Sequence, residues 1–221
     1  MLNPVKKKEK KAAPVPLDSR AAFFLYLFVK RILFSIPSHA MKAMETVPEQ
    51  EIEYRIRNFQ LSLQEIGLDG AFILQNADLF YFSGTIQSSA LFIPQRGEPV
   101  LMVQKGLQRA RHESPLKHVF SATGKDQVNK ALRDFGFSDL KRIGLEMDVL
   151  PVNLYLRYRQ TFPEYDWSDV SGAIQRLRMI KTLYEVEQIR SAARILHKGC
   201  LSIKEIIQEG MTELETTATS P

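Results

Sequence analysis

The sequence predicts an α/β fold in which a mixed β-sheet is flanked by helices. From Ile52 onward, apolar residues recur every three or four positions, which predicts an amphipathic helix that ends at Gly67. Two short apolar runs at 90–94 and 99–103 flank a turn, which predicts a β-hairpin. Because helical and strand-like segments alternate beyond it, we expect an α/β sandwich whose hairpin supplies the antiparallel part of the sheet.

The remaining elements of this first domain are short. Two strands and two helices are predicted, at residues 71–74, 142–146, 126–135 and 150–162. Gly136 stops the first of these helices. Pro151 is tolerated in the first turn of the second, because its missing N–H has no partner there. The segment 48–170 is therefore expected to form a single domain of about 125 residues, within the usual size range.

The pattern changes beyond this segment and predicts a second unit over 171–221. Ser168 or Asp169 is expected to cap a short helix that runs through Leu177. Lys181-Thr182 then opens a long amphipathic helix. Its apolar side chains form a single stripe: Val186, Ile189, Ala193, Leu196, Cys200, Ile203 and Ile207.

The end of the sequence predicts an interrupted structure. Gly210 is expected to close the long helix, and Thr212 with Glu215 form a capping box that announces another helix. Residues 216–221 do not continue it, because threonines and a final Ser-Pro carry neither an apolar stripe nor helix propensity. We therefore expect the chain to stop early in its second unit.

The net charge of +5 is a property of the amino-terminal segment. Residues 1–40 contain eight Lys and Arg against two acidic residues, which makes that segment +6. The other 22 basic and 23 acidic residues leave the body of the chain at −1. A body without excess positive charge lacks the electrostatic basis for binding a polyanion, so we expect no nucleic-acid partner.

Residues 1–47 form a basic and apolar tail with three open interpretations. The segment is sequence translated upstream of a natural start at Met41 or Met44, or a secretory signal peptide, or an interfacial helix. The interfacial helix would contact a membrane through residues 21–36, which is not the favoured interpretation. Lys30-Arg31 splits the apolar residues, and neither part reaches the roughly 20 residues that span a bilayer.

A single cysteine, Cys200, excludes an internal disulfide. This cysteine usage is typical of a reducing compartment, so we expect a cytoplasmic protein. Because Cys200 lies on the apolar stripe of the long helix, we expect it to be a buried structural thiol.

No residue combination in the sequence has the spacing of a catalytic or metal site. His112-Glu113 is followed by His118 six positions later, whereas a zinc-binding helix requires its second histidine after four. Glu146 and Asp148 lie at the end of a predicted strand, and we expect a solvated turn rather than a catalytic carboxylate pair. Gly124-Lys125 lacks the rest of a phosphate loop. We therefore expect neither catalytic residues nor metal ligands.

Two groups of short motifs carry a family resemblance. The first group is Tyr54-Arg-Ile-Arg57, Gly67-Leu-Asp-Gly-Ala71, Tyr81-Phe-Ser-Gly84 and Arg96-Gly-Glu-Pro-Val-Leu101. It resembles the amino-terminal domain of the creatinase, prolidase and aminopeptidase P family. The second group is Leu177-Arg-Met-Ile-Lys181, Glu185-Val-Glu-Gln-Ile-Arg190 and Gly210-Met-Thr-Glu213. It resembles the start of the family's pita-bread catalytic domain.

The resemblance implies a proline-specific metallopeptidase whose chemistry lies elsewhere. In the family, two aspartates, one histidine and two glutamates bind two divalent metals, usually manganese, cobalt or zinc. All of these ligands follow the motif that resembles Gly210-Met-Thr-Glu213, so the resemblance implies that this chain binds no cofactor and is inactive alone. The implied partner is the missing catalytic half, or a second copy of the chain or a full-length paralogue in a non-catalytic dimerisation role.

The resemblance also implies a loop that faces substrate or partner. In relatives, the amino-terminal domain of one subunit leans over the active site of the other and limits substrate length. The corresponding residues here are Tyr81, Phe82, Gln87 and Ser88. The alternative interpretation is that these residues form an aromatic core and an ordinary turn.

Overall fold

The computed structural model describes residues 46–212 and 214–215, without the side chains of Lys204 and Glu205. All three interpretations of the tail, and the membrane contact through residues 21–36, lie outside the described residues. The described residues up to Ile195 form one compact unit, and those from Leu196 onward belong to a second. Within the described residues, no helix combines the length and the apolar character that crossing a membrane requires.

One mixed sheet of six strands organises the first unit, in the order β4-β3-β2-β1-β5-β6. Its strands are β1 (Gly70–Ile73), β2 (Ser89–Pro94), β3 (Val100–Val103), β4 (His118–Ser121), β5 (Arg142–Leu145) and β6 (Asp166–Asp169). Strand β2 is antiparallel to both of its neighbours, and the other three pairs are parallel. The predicted hairpin and mixed sheet are confirmed, and Gly97 in the hairpin turn has a φ of 102°.

Seven helices accompany this sheet in the described residues. They are α1 (Glu49–Ile66), α2 (Asn76–Ser83), α3 (Leu107–Glu113), α4 (Lys125–Asp134), α5 (Val152–Thr161), α6 (Ser171–Met179) and α7 (Leu183–Ile206). The predicted helix before Gly67 is confirmed, since Gly67 adopts a φ of 69° and donates its N–H to carbonyls of the last turn. Pro151 lies one residue before α5, rather than in its first turn.

The sheet separates two apolar layers. Side chains of β1 alternate, so that Ala71 and Ile73 join one layer and Phe72 joins the other. The first layer packs against α1, α2 and α6, with the rings of Phe59 and Phe82 5.1 Å apart. The second layer is aromatic, and its rings come from β1, β2, β6, α5 and the residue that follows α5: Phe72, Phe92, Trp167, Tyr158 and Phe162. A fully buried Phe contributes about 2–3 kcal/mol, so these layers are the main source of stability.

The start of α6 differs from the prediction. Ser168 and Asp169 lie in β6, and α6 begins after Val170 without a side-chain cap at that position. Asp169 nevertheless stabilises the helix start, because its Oδ1 accepts a 2.9 Å hydrogen bond from the Ser171 N–H. The apolar pattern of the sequence does not predict this strand, because Asp-Trp-Ser-Asp contains no apolar run.

Two expectations for α7 and Cys200 are wrong. The helix ends at Ile206, before Gly210, which instead lies in a separate turn and has a φ of 90°. Cys200 is exposed rather than buried. An apolar stripe is buried only where a second apolar surface covers it, and in the described residues Ile189 and Leu196 remain 54% and 47% exposed. The capping box is confirmed, because Thr212 N–H donates to Glu215 Oε2 at 2.8 Å.

Candidate functional site

A buried arginine joins three helices of the first unit. The Arg55 side chain is 4% exposed and donates to Glu51 Oε1 at 3.0 Å and to Glu185 Oε1 at 3.1 Å. It also donates to the Tyr81 carbonyl at 2.9 Å. Arg55 lies in α1, whereas its partners come from α1, α2 and α7, so this ion cluster orients the start of the long helix.

Tyr81 is the aromatic member of this cluster. The guanidinium of Arg55 lies 4.3 Å from the centre of its ring, which is a cation–π geometry. Burial, and then the negative charge of Glu185, raise the pKa of Tyr81 to about 12. The hydroxyl therefore stays protonated at physiological pH, where it is a hydrogen-bonding group rather than a base.

A groove of about 500 Å³ lies beside Tyr81. Apolar atoms of Phe80 and Ile189 border it together with the cationic groups of Arg178 and Lys181. Phe80 and Ile189 are 44% and 54% exposed, so the groove presents open apolar surface.

The structure places the predicted substrate- or partner-facing residues in different environments. Phe82 is fully buried against Phe59, whereas Tyr81 is half-buried and Ser88 is exposed. Gln87 is half-buried, and its Nε2 donates to Glu113 Oε2 at 3.2 Å. The position of Phe82 in the core leaves the other three residues as the accessible members of the set.

Glu113 holds the loop that carries Gln87 and Ser88. Its carboxylate accepts a 2.6 Å hydrogen bond from Thr85 Oγ1 and a 2.6 Å bond from Arg109 Nε. Burial raises the pKa of Glu113, but the hydrogen bonds from Thr85, Arg109 and Gln87 outweigh it and hold the pKa below its ordinary value. The glutamate of the His112-Glu113 pair is thus a structural acceptor.

The expectation of a solvated turn at Glu146 and Asp148 is wrong for Glu146. Its side chain is fully buried, and its Oε2 accepts hydrogen bonds from the N–H groups of Leu74 at 2.7 Å and Gln75 at 3.2 Å. Burial, with a further contribution from Asp78, raises the pKa of Glu146 to about 8. The fold brings this acid to the end of β1, because β1 and β5 are neighbouring parallel strands whose carboxyl ends share one edge.

Asp148 behaves as expected for an exposed turn. It is exposed, and its Oδ2 accepts a 2.7 Å hydrogen bond from Gln175 Nε2. A cavity of about 430 Å³ at this edge is bordered by Asp78, Asp148, Gln175 and Arg178.

The described residues contain no group of three or more His, Cys, Asp or Glu side chains that could hold a metal ion. A two-metal centre requires several such ligands around both ions. The residues described here therefore do not fit the metal centre that the resemblance attributes to the family's catalytic half.

Two curated proteins are similar in sequence to parts of this chain. The creatinase from Bacillus sp. (strain B-0618) is 35% identical over 88 residues, which are 40% of this chain and 21% of that protein. The Xaa-Pro dipeptidase from Pyrococcus furiosus is 25% identical over 166 residues, 74% of this chain and 46% of the relative. The chain thus spans at most about half the length of these curated relatives.

A solved structure supports the same fold. The prolidase from Pyrococcus horikoshii OT3 superposes with a TM-score of 0.65 at 23% identity, over 76% of this chain and 47% of that one. The sequence model of the creatinase/prolidase N-terminal domain family matches residues 55–180 of this chain. Because this match covers more than half of the 221 residues and coincides with the six-stranded unit, the chain belongs to the creatinase/prolidase N-terminal domain family.

Proposed function

We propose that the chain is the amino-terminal portion of an Xaa-Pro metallopeptidase of the aminopeptidase or dipeptidase type. The match to the family's N-terminal domain over residues 55–180 carries this proposal, and the Xaa-Pro dipeptidase relative from Pyrococcus furiosus supports it. A cytoplasmic location is part of the proposal and is supported by the single cysteine.

Hydrolysis is proposed to require a catalytic half that these residues do not provide. Metallopeptidases activate water on ions held by several hard ligands, and removing that ligand set removes the nucleophile. The two divalent metals of the parent family, Mn, Co or Zn, would belong to the catalytic half. Tyr81, Gln87 and Ser88 would then face its substrate or a partner subunit, since they keep accessible surface.

A peptidase assay of the purified chain tests whether hydrolysis requires the catalytic half. The chain would be incubated with Mn²⁺, Co²⁺ or Zn²⁺ and with Xaa-Pro dipeptides and longer Xaa-Pro peptides. We expect no release of the amino-terminal residue above the buffer rate, while the Pyrococcus furiosus Xaa-Pro dipeptidase serves as the positive control. Release that depends on the added metal, and that co-purifies with the chain, would contradict the proposal.

The exposed stripe of α7 supports a second candidate function, self-association of a non-catalytic module. Ile189, Leu196 and Ile207 are 54%, 47% and 55% exposed. An apolar surface of this kind on a soluble domain is typical of an interface, so a second copy or a full-length paralogue would cover it.

Light scattering distinguishes the self-associating chain from a monomer. We expect the native chain to be larger than a monomer and Leu196→Glu to shift it toward the monomer. Ser191→Glu is the matched control, because Ser191 lies two residues from Ile189 and so about 200° around the helix. A native chain that is monomeric across the concentration range would rule this function out.

A further inference from the structure

Glu146 occupies the position where the ladder between β1 and β5 ends. It directly follows β5, and its Oε2 accepts from Leu74 and Gln75, the first two residues beyond β1. A side-chain oxygen thereby takes the place of the next strand carbonyl. Gln75 in turn caps α2, because its Oε1 accepts from the Ala77 N–H at 2.6 Å and the Asp78 N–H at 3.0 Å.

The second oxygen of Glu146 lacks a donor. Among the described residues, no hydrogen-bond donor reaches the buried Oε1 atom. The carboxyl of Asp78, which is itself only 7% exposed, faces the Glu146 side chain. Two ionised carboxylates can only accept hydrogen bonds, so this contact is satisfied when one of them carries a proton.

Arg178 determines which of the two acids is protonated. Its Nη1 forms an ion pair with Asp78 Oδ1, which stabilises the negative charge on Asp78. Among the described residues, Glu146 has no such cationic partner. The side chains that face Glu146 are Asp78 of α2 and Tyr158 of α5, and Arg178 of α6 pairs with Asp78. The proton therefore belongs on Glu146.

We propose that Glu146 is protonated in the folded chain at neutral pH and donates a hydrogen bond to Asp78, forming a pH-sensitive latch between the sheet and α2. Loss of the proton would leave two buried negative charges in contact, which opposes the folded state. The latch would act on the helix that carries Tyr81, and it does not depend on the proposed peptidase function.

The direction of the pH dependence follows from the raised pKa. Burial and Asp78 raise the pKa of Glu146 from its ordinary value of 4.5 to about 8. Between these values the folded chain keeps a proton that the unfolded chain has lost. The stabilisation is therefore complete below about pH 4.5 and is lost as the pH rises to about 8. Between these two values the equilibrium constant for unfolding grows about tenfold per pH unit.

Urea unfolding of the full chain and of Glu146→Gln between pH 5 and about 9 tests the latch. The glutamine carbonyl can accept from Leu74 and Gln75, while its NH₂ group donates to Asp78 without a titrating proton. We expect the ratio of unfolding constants, native over variant, to rise about tenfold per pH unit up to about pH 8 and then level off. A ratio that stays constant or falls over this range would overturn the proposal.

Glu113→Gln is the matched control, because Glu113 is an acceptor whose pKa is lowered rather than raised. The ratio of the native unfolding constant to that of Glu113→Gln should stay constant over the same pH range.

NMR titration of the native chain tests the proposal even if Glu146→Gln does not fold. The side-chain carboxyl carbon of Glu146 in the native chain should titrate near pH 8 by NMR. In Asp78→Asn the midpoint should fall, because Asp78 contributes to the raised pKa. A Glu146 carbon that titrates at the ordinary value of about 4.5 in the folded native chain would refute the latch.

Discussion

Removal of the buried Arg55 side chain should be strongly destabilising. Its guanidinium compensates Glu51 and Glu185, whose side chains are only 11% and 14% exposed. In Arg55→Met these carboxylates keep their burial and lose their counter-charge, so we expect a loss of about 3–5 kcal/mol in the free energy of unfolding. Urea denaturation at neutral pH measures this loss.

Arg109→Met provides the comparison for Arg55. Arg109 also pairs with a glutamate, Glu113, at 2.6 Å, but its side chain is 66% exposed. Exposed pairs contribute at most about 1 kcal/mol. Equal losses in the two variants would show that the Arg55 cluster is not desolvated as described.

Gly144 is required for packing between strands. A Cβ at this position would lie 2.9 Å from the Ala71 Cβ and closer still to a methyl group of Val170, which is buried. Gly144→Ala should therefore lower the free energy of unfolding by about 1–3 kcal/mol through overpacking. Thermal or urea unfolding measures the change.

The matched substitution is Gly172→Ala in α6. There the nearest atom to a new Cβ is Arg176 Nη1 at an ordinary 3.6 Å, and the residue is exposed. Alanine should raise the stability by up to about 1 kcal/mol. Destabilisation by both variants to the same extent would contradict the crowding at Gly144.

At the element scale, Thr182 determines how α7 begins. Thr182 Oγ1 accepts from the Glu185 N–H at 3.2 Å and donates to Glu51 Oε1 at 2.9 Å, while its N–H donates to Glu185 Oε2 at 2.9 Å. Thr182→Ala should cost about 1 kcal/mol and speed amide exchange in the first turn of α7. Thr212→Ala, in the other capping box, should leave exchange in that turn unchanged.

Elements with a strong period could be predicted, and short elements could not. The helix before Gly67 and the hairpin around Gly97 combine an apolar pattern with a stop or turn signal. Helix α2 has the sequence Asn-Ala-Asp-Leu-Phe-Tyr-Phe-Ser, whose apolar residues form no single stripe. Strand β6 has no apolar pattern either, because two of its four residues are aspartates. Pairing with β5 accounts for strand β6, and burial of Leu79 and Phe82 in the core accounts for helix α2.

At the scale of the whole molecule, the residues that matter most for the site come together only through the fold. Arg55 and Glu185 are 130 positions apart, and Glu146 and Leu74 are 72 apart. Sequence patterns mark Glu146 only as an acid after a strand, which is usually solvated. The neighbouring parallel strand supplies the N–H groups that make its burial possible. The alternation of helical and strand-like patterns, in contrast, is sufficient to predict the fold class.

The most direct test of the account is a chimera. Residues 46–180 of this chain would replace the aligned segment of the Xaa-Pro dipeptidase from Pyrococcus furiosus, with the dipeptidase lacking that segment as the control. If these residues serve as the amino-terminal domain of an Xaa-Pro metallopeptidase, the chimera should hydrolyse Xaa-Pro dipeptides faster than the control, and only with added metal. A folded, metal-loaded chimera that is no faster than the control would contradict the account.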